Sequence, residues 1–140
     1  MTEIDTMRHI LGTCRTIAVV GLSPKPHRAS FDVSRAMQAR GWRIIPINPN
    51  ATEILGETAY PSLTEAARHV SIDLVNVFRN SEDVPPVVTE AIAIGAKAIW
   101  LQLGITHAQA AGLAWVQNKC LMVEQSRLGT LPGACATIDP

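Results

Sequence analysis

The stretch Ile17–Met37, IAVVGLSPKPHRASFDVSRAM, decides how the rest of the chain is read. Its first four residues, Ile17-Ala18-Val19-Val20, form a short apolar run of strand character that stops at Gly21. A polar, basic loop follows, Ser23-Pro24-Lys25-Pro26-His27-Arg28. Ser30 then stands where an N-cap is expected, and Val33, Ala36 and Met37 recur at helical spacing. A strand, a glycine turn, a basic loop and a helix N-terminus together make an anion site. Unpaired backbone N–H groups and the positive end of the helix dipole converge there.

Outward from this stretch, strands and helices alternate. Ile4, Met7 and Leu11 share one face of an N-terminal helix over 3–12, which is expected to pack on the sheet. Gly41 ends the helix that follows the basic loop, and Trp42–Ile47 reads as a second strand. Pro46 and Pro49 are expected to break that strand into an extended loop, because proline cannot donate to a ladder. A short strand is expected at Thr58–Tyr60, and Ser62 with Glu65 has capping-box spacing for a short helix. Ile72–Phe78, IDLVNVF, suits a central parallel strand. Ser81 opens a helix that ends at Gly95, and Ala98–Leu101 is a further strand. Thr106 and Gln109 start an Ala-rich helix through about Gln117, and Cys120–Val123 is a last short strand. This order predicts an α/β fold, a Rossmann-like doubly wound, mainly parallel sheet of about five or six strands flanked by helices. Residues 1–125 are read as one domain and 126–140 as a C-terminal tail or arm.

Composition narrows the functional classes. The 140 residues are 47% hydrophobic and 17% charged, which favours a packed core over disorder. A formal net charge of zero argues against general binding to nucleic acid or membrane surfaces. The charge is unevenly placed, however: Lys25, Arg28, Arg35, Arg40 and Arg43 lie between Pro24 and Arg43 with only Asp32 against them. Arg35, Arg40 and Arg43 read as a solvated face, which leaves Lys25 and Arg28 for an anion. Cys14, Cys120 and Cys135 show no CxxC and no metal-like clustering with the four histidines. Without a signal-like N-terminus or a long apolar run, they fit a reduced cytoplasm.

In a doubly wound sheet the ligand lies beyond the carboxyl ends of the strands. That rule selects the loops Gly21–Ser30, Pro46–Asn50, Arg79–Ser81 and Gln102–Gly104. A nicotinamide or flavin dinucleotide is the usual occupant, but GxGxxG is missing: Leu22, Ser23 and Pro24 follow Gly21. No Asp or Glu closes the second strand, where Pro46, Ile47, Asn48 and Pro49 stand instead, and there is no GxxxxGK[ST]. Lys25 and Arg28 suit a ligand with more phosphate charge, with Ser23 and Ser30 adding hydroxyl donors. Coenzyme A meets that demand better than NAD.

The blocks VVGLSPKPHRAS, IIPINPN, EILGETAYPSL, IDLVNVFR, AIAIGAKAIWLQLG and CLMVE, in this order, resemble the small stand-alone CoA-binding family. These proteins are related to the CoA-binding domain of the succinyl-CoA synthetase alpha subunit, and the resemblance spans about Thr16 to Glu124. It implies a Rossmann-like fold with CoA, or an acyl-CoA, across the strand ends. Gly21, Ser23, Lys25, Arg28 and Ser30 would hold the phosphates. Pro46, Asn48 and Pro49 would line the second loop, and Val77, Phe78 and Arg79 the third. Trp100, Gln102 and Gly104 would lie near the pantetheine end. Phe78, Trp42 and Trp100 are also candidates for stacking on adenine, with burial in the core as the commoner fate of such residues. His107 and Cys120 have no catalytic companions in the sequence.

The expected function is therefore a CoA or acyl-CoA binding or regulatory module without catalysis of its own. The alternatives are a nucleotide-dependent oxidoreductase and the CoA-binding subunit of a split acyl-CoA ligase. No metal is called for, and a protein partner or a homo-oligomer stays open.

Overall fold

The computed structural model describes residues 3–101, 114–116 and 128. Helix α1 (Glu3–Thr13) precedes strand β1 (Thr16–Val20), helix α2 (Ala29–Ala39) and strand β2 (Arg43–Ile47). A hairpin of β3 (Glu53–Ile54) and β4 (Glu57–Thr58) leads to helix α3 (Leu63–Ala67) and strand β5 (Leu74–Val77). A 3-10 turn (Ser81–Asp83), helix α4 (Val84–Ala93), strand β6 (Ala98–Leu101) and strand β7 (Ala114–Val116) complete the described elements. Five strands form a parallel sheet in the order β2-β1-β5-β6-β7.

Each central strand is buried on both faces, so its residues alternate between two cores. Ile17, Val19, Ile44, Leu74, Ala98 and Trp100 point to the face covered by α1 and α2. Ala18, Ile45, Ile47, Val75, Val77, Ile99 and Leu101 point to the face covered by α3 and α4. This two-sided burial is why these strands read as continuous apolar runs. On α1 the buried stripe is Met7, Ile10 and Leu11, continued by Cys14. Ile4 was expected on that stripe but is exposed: the apolar face begins one turn later.

Three further expectations are corrected. Pro46 does not break β2; it is buried within it, paired with Val19. β2 is the edge of the main sheet, and the carbonyl of Pro46 turns outward to accept from the Tyr60 N–H (3.0 Å). The N side of the proline faces the same way, where the ladder needs no donor. The short strand expected at Thr58–Tyr60 splits. Glu57 and Thr58 pair back on Ile54 and Glu53 through a two-residue turn, Leu55-Gly56, both with positive φ, while Tyr60 bridges to Ile47. Ala114–Val116 was expected within a helix through Gln117, yet it forms β7, parallel to Ala98–Trp100. The hydrogen-bonding edge of β6 overrides the helical propensity of the Ala-rich stretch. The expected helix start at Thr106, the strand at Cys120–Val123 and most of the tail fall outside the described residues.

Other expectations hold closely. Ser62 Oγ accepts from the Glu65 N–H (3.1 Å) at the start of α3. Pro85 and Pro86 sit in the first turn of α4, where their missing N–H groups cost nothing. Gly95 follows α4 with φ +78°.

Candidate site at the strand ends

The strand order reverses between β1 and β5. From β1 the chain crosses by α2 to β2 on one side; from β5 it crosses by α4 to β6 on the other. The two loops leave the sheet in opposite directions and open a crevice between them. At its floor, Gly21 (φ +87°) lies so close to the next loop that a Cβ would stand 2.4 Å from the Phe78 carbonyl oxygen. Both the conformation and the contact demand glycine. The flanking ladder is continuous, with Phe78 N–H donating to Val20 O (2.9 Å) and Gly21 N–H to Ile47 O (3.1 Å).

Beyond Gly21 the basic loop is shaped by its own hydroxyls. Ser30 Oγ accepts from the Ser23 N–H (3.0 Å), and Ser23 Oγ accepts from the Lys25 N–H (3.1 Å). A turn is closed by Arg28 N–H donating to Lys25 O (3.0 Å). Ser30 is therefore not the N-cap expected from sequence. The cap position is Arg28, in extended conformation and without a side-chain capping bond. Ser30 is buried in the first turn of α2, where it pulls the loop down onto the helix.

Two clefts meet at Gly21 and Ser23. The first, about 390 Å³, is lined by Gly21, Ser23, Lys25, Arg28, Ala29, Ser30 and Phe78. Neither Lys25 nor Arg28 has an ion-pair companion among the described residues. By contrast, Arg35 is paired with Asp32 (2.8 Å) and Arg43 with Glu57 (3.8 Å). The first turn of α2 opens into the same space through Ala29 and Ser30, at the positive end of the helix dipole. The second cleft, about 530 Å³, runs from Val20 and Gly21 past Asn48, Pro49 and Asn50 to Pro61 and Ser62, with Arg79, Asp83 and Glu90 on the opposite wall. Arg79 is in ion-pair range of Asp83 (3.8 Å), and Glu90 accepts from both the Thr64 N–H (2.9 Å) and its hydroxyl (2.7 Å).

The structure thus brings together nine of the residues singled out from sequence: Gly21, Ser23, Lys25, Arg28, Ser30 and Phe78 in the first cleft, and Asn48, Pro49 and Arg79 in the second. It does not bring in Pro46, Val77 or Trp100, whose side chains are buried in the sheet. Trp42, a candidate for stacking on adenine, is likewise a core residue on the α2 face. Gln102, Gly104, His107 and Cys120 lie outside the described residues. Asn50 belonged to a loop selected from sequence without being singled out, and sequence reasoning passed over Ser62, Asp83 and Glu90 as site residues. Ser62 was read only as a helix cap, and Asp83 as part of a helix start or, with Glu82, as an ion-pair partner for Arg79.

Residues 15–126 match the family model described as CoA binding domain. YneT of Bacillus subtilis is 45% identical over 104 residues, covering 74% of this chain and 76% of its own. A solved structure from Pyrococcus horikoshii OT3 superposes with a TM-score of 0.84 at 35% identity, covering 91% of this chain and 92% of that one. The acetate–CoA ligase [ADP-forming] II of Archaeoglobus fulgidus is 29% identical over 85 residues, 59% of this chain but only 12% of the ligase. With most of its length matched by the family model and the doubly wound sheet in place, the chain belongs to the CoA binding domain family.

Proposed function

We propose that this protein binds coenzyme A or an acyl-CoA across the ends of β1, β2 and β5 and acts as a binding or regulatory module. The observation that carries this reading is the first cleft. Two cations without an ion-pair partner among the described residues, two serine hydroxyls and the N-terminus of an 11-residue helix converge there on a space open to solvent. Such a set recognises phosphate: the guanidinium of Arg28 as a planar fork, the ammonium of Lys25 as a point charge. The adjoining second cleft gives an extended ligand somewhere to run, because the two share Gly21 and Ser23. Membership of the CoA binding domain family supports CoA as the phosphate-bearing ligand.

Calorimetric titration with CoA, acetyl-CoA, NAD and NADP tests the proposal. CoA or its thioester is expected to bind, and NAD to bind weakly or not at all. Tight NAD binding with no heat from CoA overturns it. The similarity to a stretch of an acetate–CoA ligase supports a second reading, a CoA-binding subunit of a split ligase. That reading requires a co-purifying protein and ATP-dependent acyl-CoA formation only in its presence.

A further inference from the structure

Asn48 stands one residue beyond β2, where the second cleft borders the basic loop. Its four polar groups are all engaged. The backbone N–H donates to Tyr60 O (2.9 Å), and the backbone carbonyl accepts from the Ala51 N–H (3.4 Å). Oδ1 accepts from the Asn50 N–H (2.7 Å), which folds the loop after β2 into an Asx turn. Nδ2 donates to Leu22 O (2.9 Å), 26 residues away in sequence, at the root of the basic loop. The first bond continues the Ile47–Tyr60 bridge beside β2, and the next two shape a local turn. The fourth does neither: it ties the turn to a different loop, the one that leaves β1. Leu22 is fully buried, so its side chain pins the same point from the core side.

We propose that Asn48 is a positioning residue for the phosphate-binding loop, holding the Gly21–Ser30 segment against the loop after β2 so that the wall shared by the two clefts is set before ligand arrives. The inference rests on the CoA reading for its functional consequence, but not for the clasp itself. Only a side chain with an acceptor and a donor on one short planar group fits. Aspartate keeps the shape and the Asn50 bond but offers no proton to Leu22 O; serine keeps a weaker form of the turn and does not reach Leu22. A loop ordered beforehand spares the ligand the entropy of ordering it, and that saving applies to any ligand that uses the loop.

The variants Asn48→Ser and Asn48→Asp test this. Hydrogen exchange without ligand is expected to show faster exchange over 21–30, with 48–51 less affected in Asn48→Asp and the thermal midpoint close to that of the parent. Calorimetry with CoA, ADP and inorganic pyrophosphate is expected to show all three weakened by a similar factor in Asn48→Ser, roughly five- to tenfold for one lost neutral hydrogen bond. Unchanged exchange over 21–30 in both variants overturns the clasp. A loss confined to CoA, with ADP and pyrophosphate unaffected, overturns positioning in favour of direct contact between Asn48 and a remote part of CoA. If the parent protein binds none of the three probes, the CoA reading fails while the exchange measurement still decides the clasp.

Discussion

Gly21 does two jobs at one position. Its positive φ turns the chain out of β1, and its missing side chain lets the β5 loop pass at van der Waals range. Gly21→Ala places a methyl on the Phe78 carbonyl and strains the backbone, so unfolding free energy is expected to fall by about 2–4 kcal/mol. Urea denaturation followed by circular dichroism reads this directly. Lys25 and Arg28 act on binding instead: Lys25→Ala and Arg28→Ala are each expected to weaken CoA binding by about 1–3 kcal/mol, the scale for hydrogen bonds to charged groups. Unchanged affinity with the fold intact would remove the loop as the phosphate site. These positions were legible because their meaning is local: a glycine closing an apolar run, then two cations beside a helix start. Val77 and Trp100 were not. In a strand buried on both faces, the residue that ends the strand carries no sequence mark of whether it faces cleft or core. Here the pleat sends Val77 into the α3–α4 layer and Trp100 into the α1–α2 layer. Asp83 reaches the cleft from the 3-10 turn ahead of α4 and Glu90 from α4 itself, and only the placement of those elements reveals them.

At the scale of elements, the second cleft is bordered by a link between α3 and α4. Helix α3 has five residues, too few to stand by itself in water, and the Glu90 carboxylate from α4 supplies acceptors for its exposed first turn. Glu90→Ala leaves the Thr64 N–H to solvent and is expected to cost about 1–2 kcal/mol, in the range for a lost helix cap. Glu90→Gln is expected to recover part of that loss, since its amide oxygen still accepts. Thermal unfolding of the two variants ranks them, and equal midpoints would show the link to be without weight. The helices and central strands that frame this link were readable from period and helix-end signals: β5, α4 and β6 lie close to where those signals put them, and α2 does so except for its cap, which is Arg28 and not Ser30. β7 was not, because Ala114–Val116 continues an Ala-rich run with good helical propensity and becomes a strand only when it meets β6. Pro46 was misread for a related reason. Proline excludes a central strand, and only the sheet order shows that β2 is an edge.

For the molecule as a whole, the sheet is fastened at both ends, by the crevice at the carboxyl ends of the strands and by Asp73 at their amino ends. The Asp73 carboxylate accepts from the N–H groups of Arg15 (2.8 Å) and Thr16 (3.0 Å) ahead of β1 and at its start, and lies 3.4 Å from Lys97 Nζ ahead of β6. Its backbone N–H donates to Thr16 O (3.1 Å), and its carbonyl accepts from the N–H groups of Lys97 (2.8 Å) and Ala98 (3.2 Å). One residue thereby sets the stagger of three adjacent strands. Burial pushes its carboxyl pKa up, but the Thr16 and Arg15 hydrogen bonds and the Lys97 charge outweigh this and hold it below the ordinary value of 3.8. A carboxyl with a depressed folded-state pKa contributes stability that is fully present above its unfolded pKa and is lost as pH falls through the folded one. Asp73→Asn removes that contribution at every pH, because a neutral amide does not titrate and is a weaker acceptor. The parent protein is therefore expected to be more stable than Asp73→Asn at pH 7 and pH 5, with the gap narrowing from about pH 4 downward as the carboxylate is protonated. Urea midpoints of both proteins at pH 7, 5, 4 and 3 measure the gap, and a constant difference across that series would show that Asp73 holds the strands by shape rather than by charge.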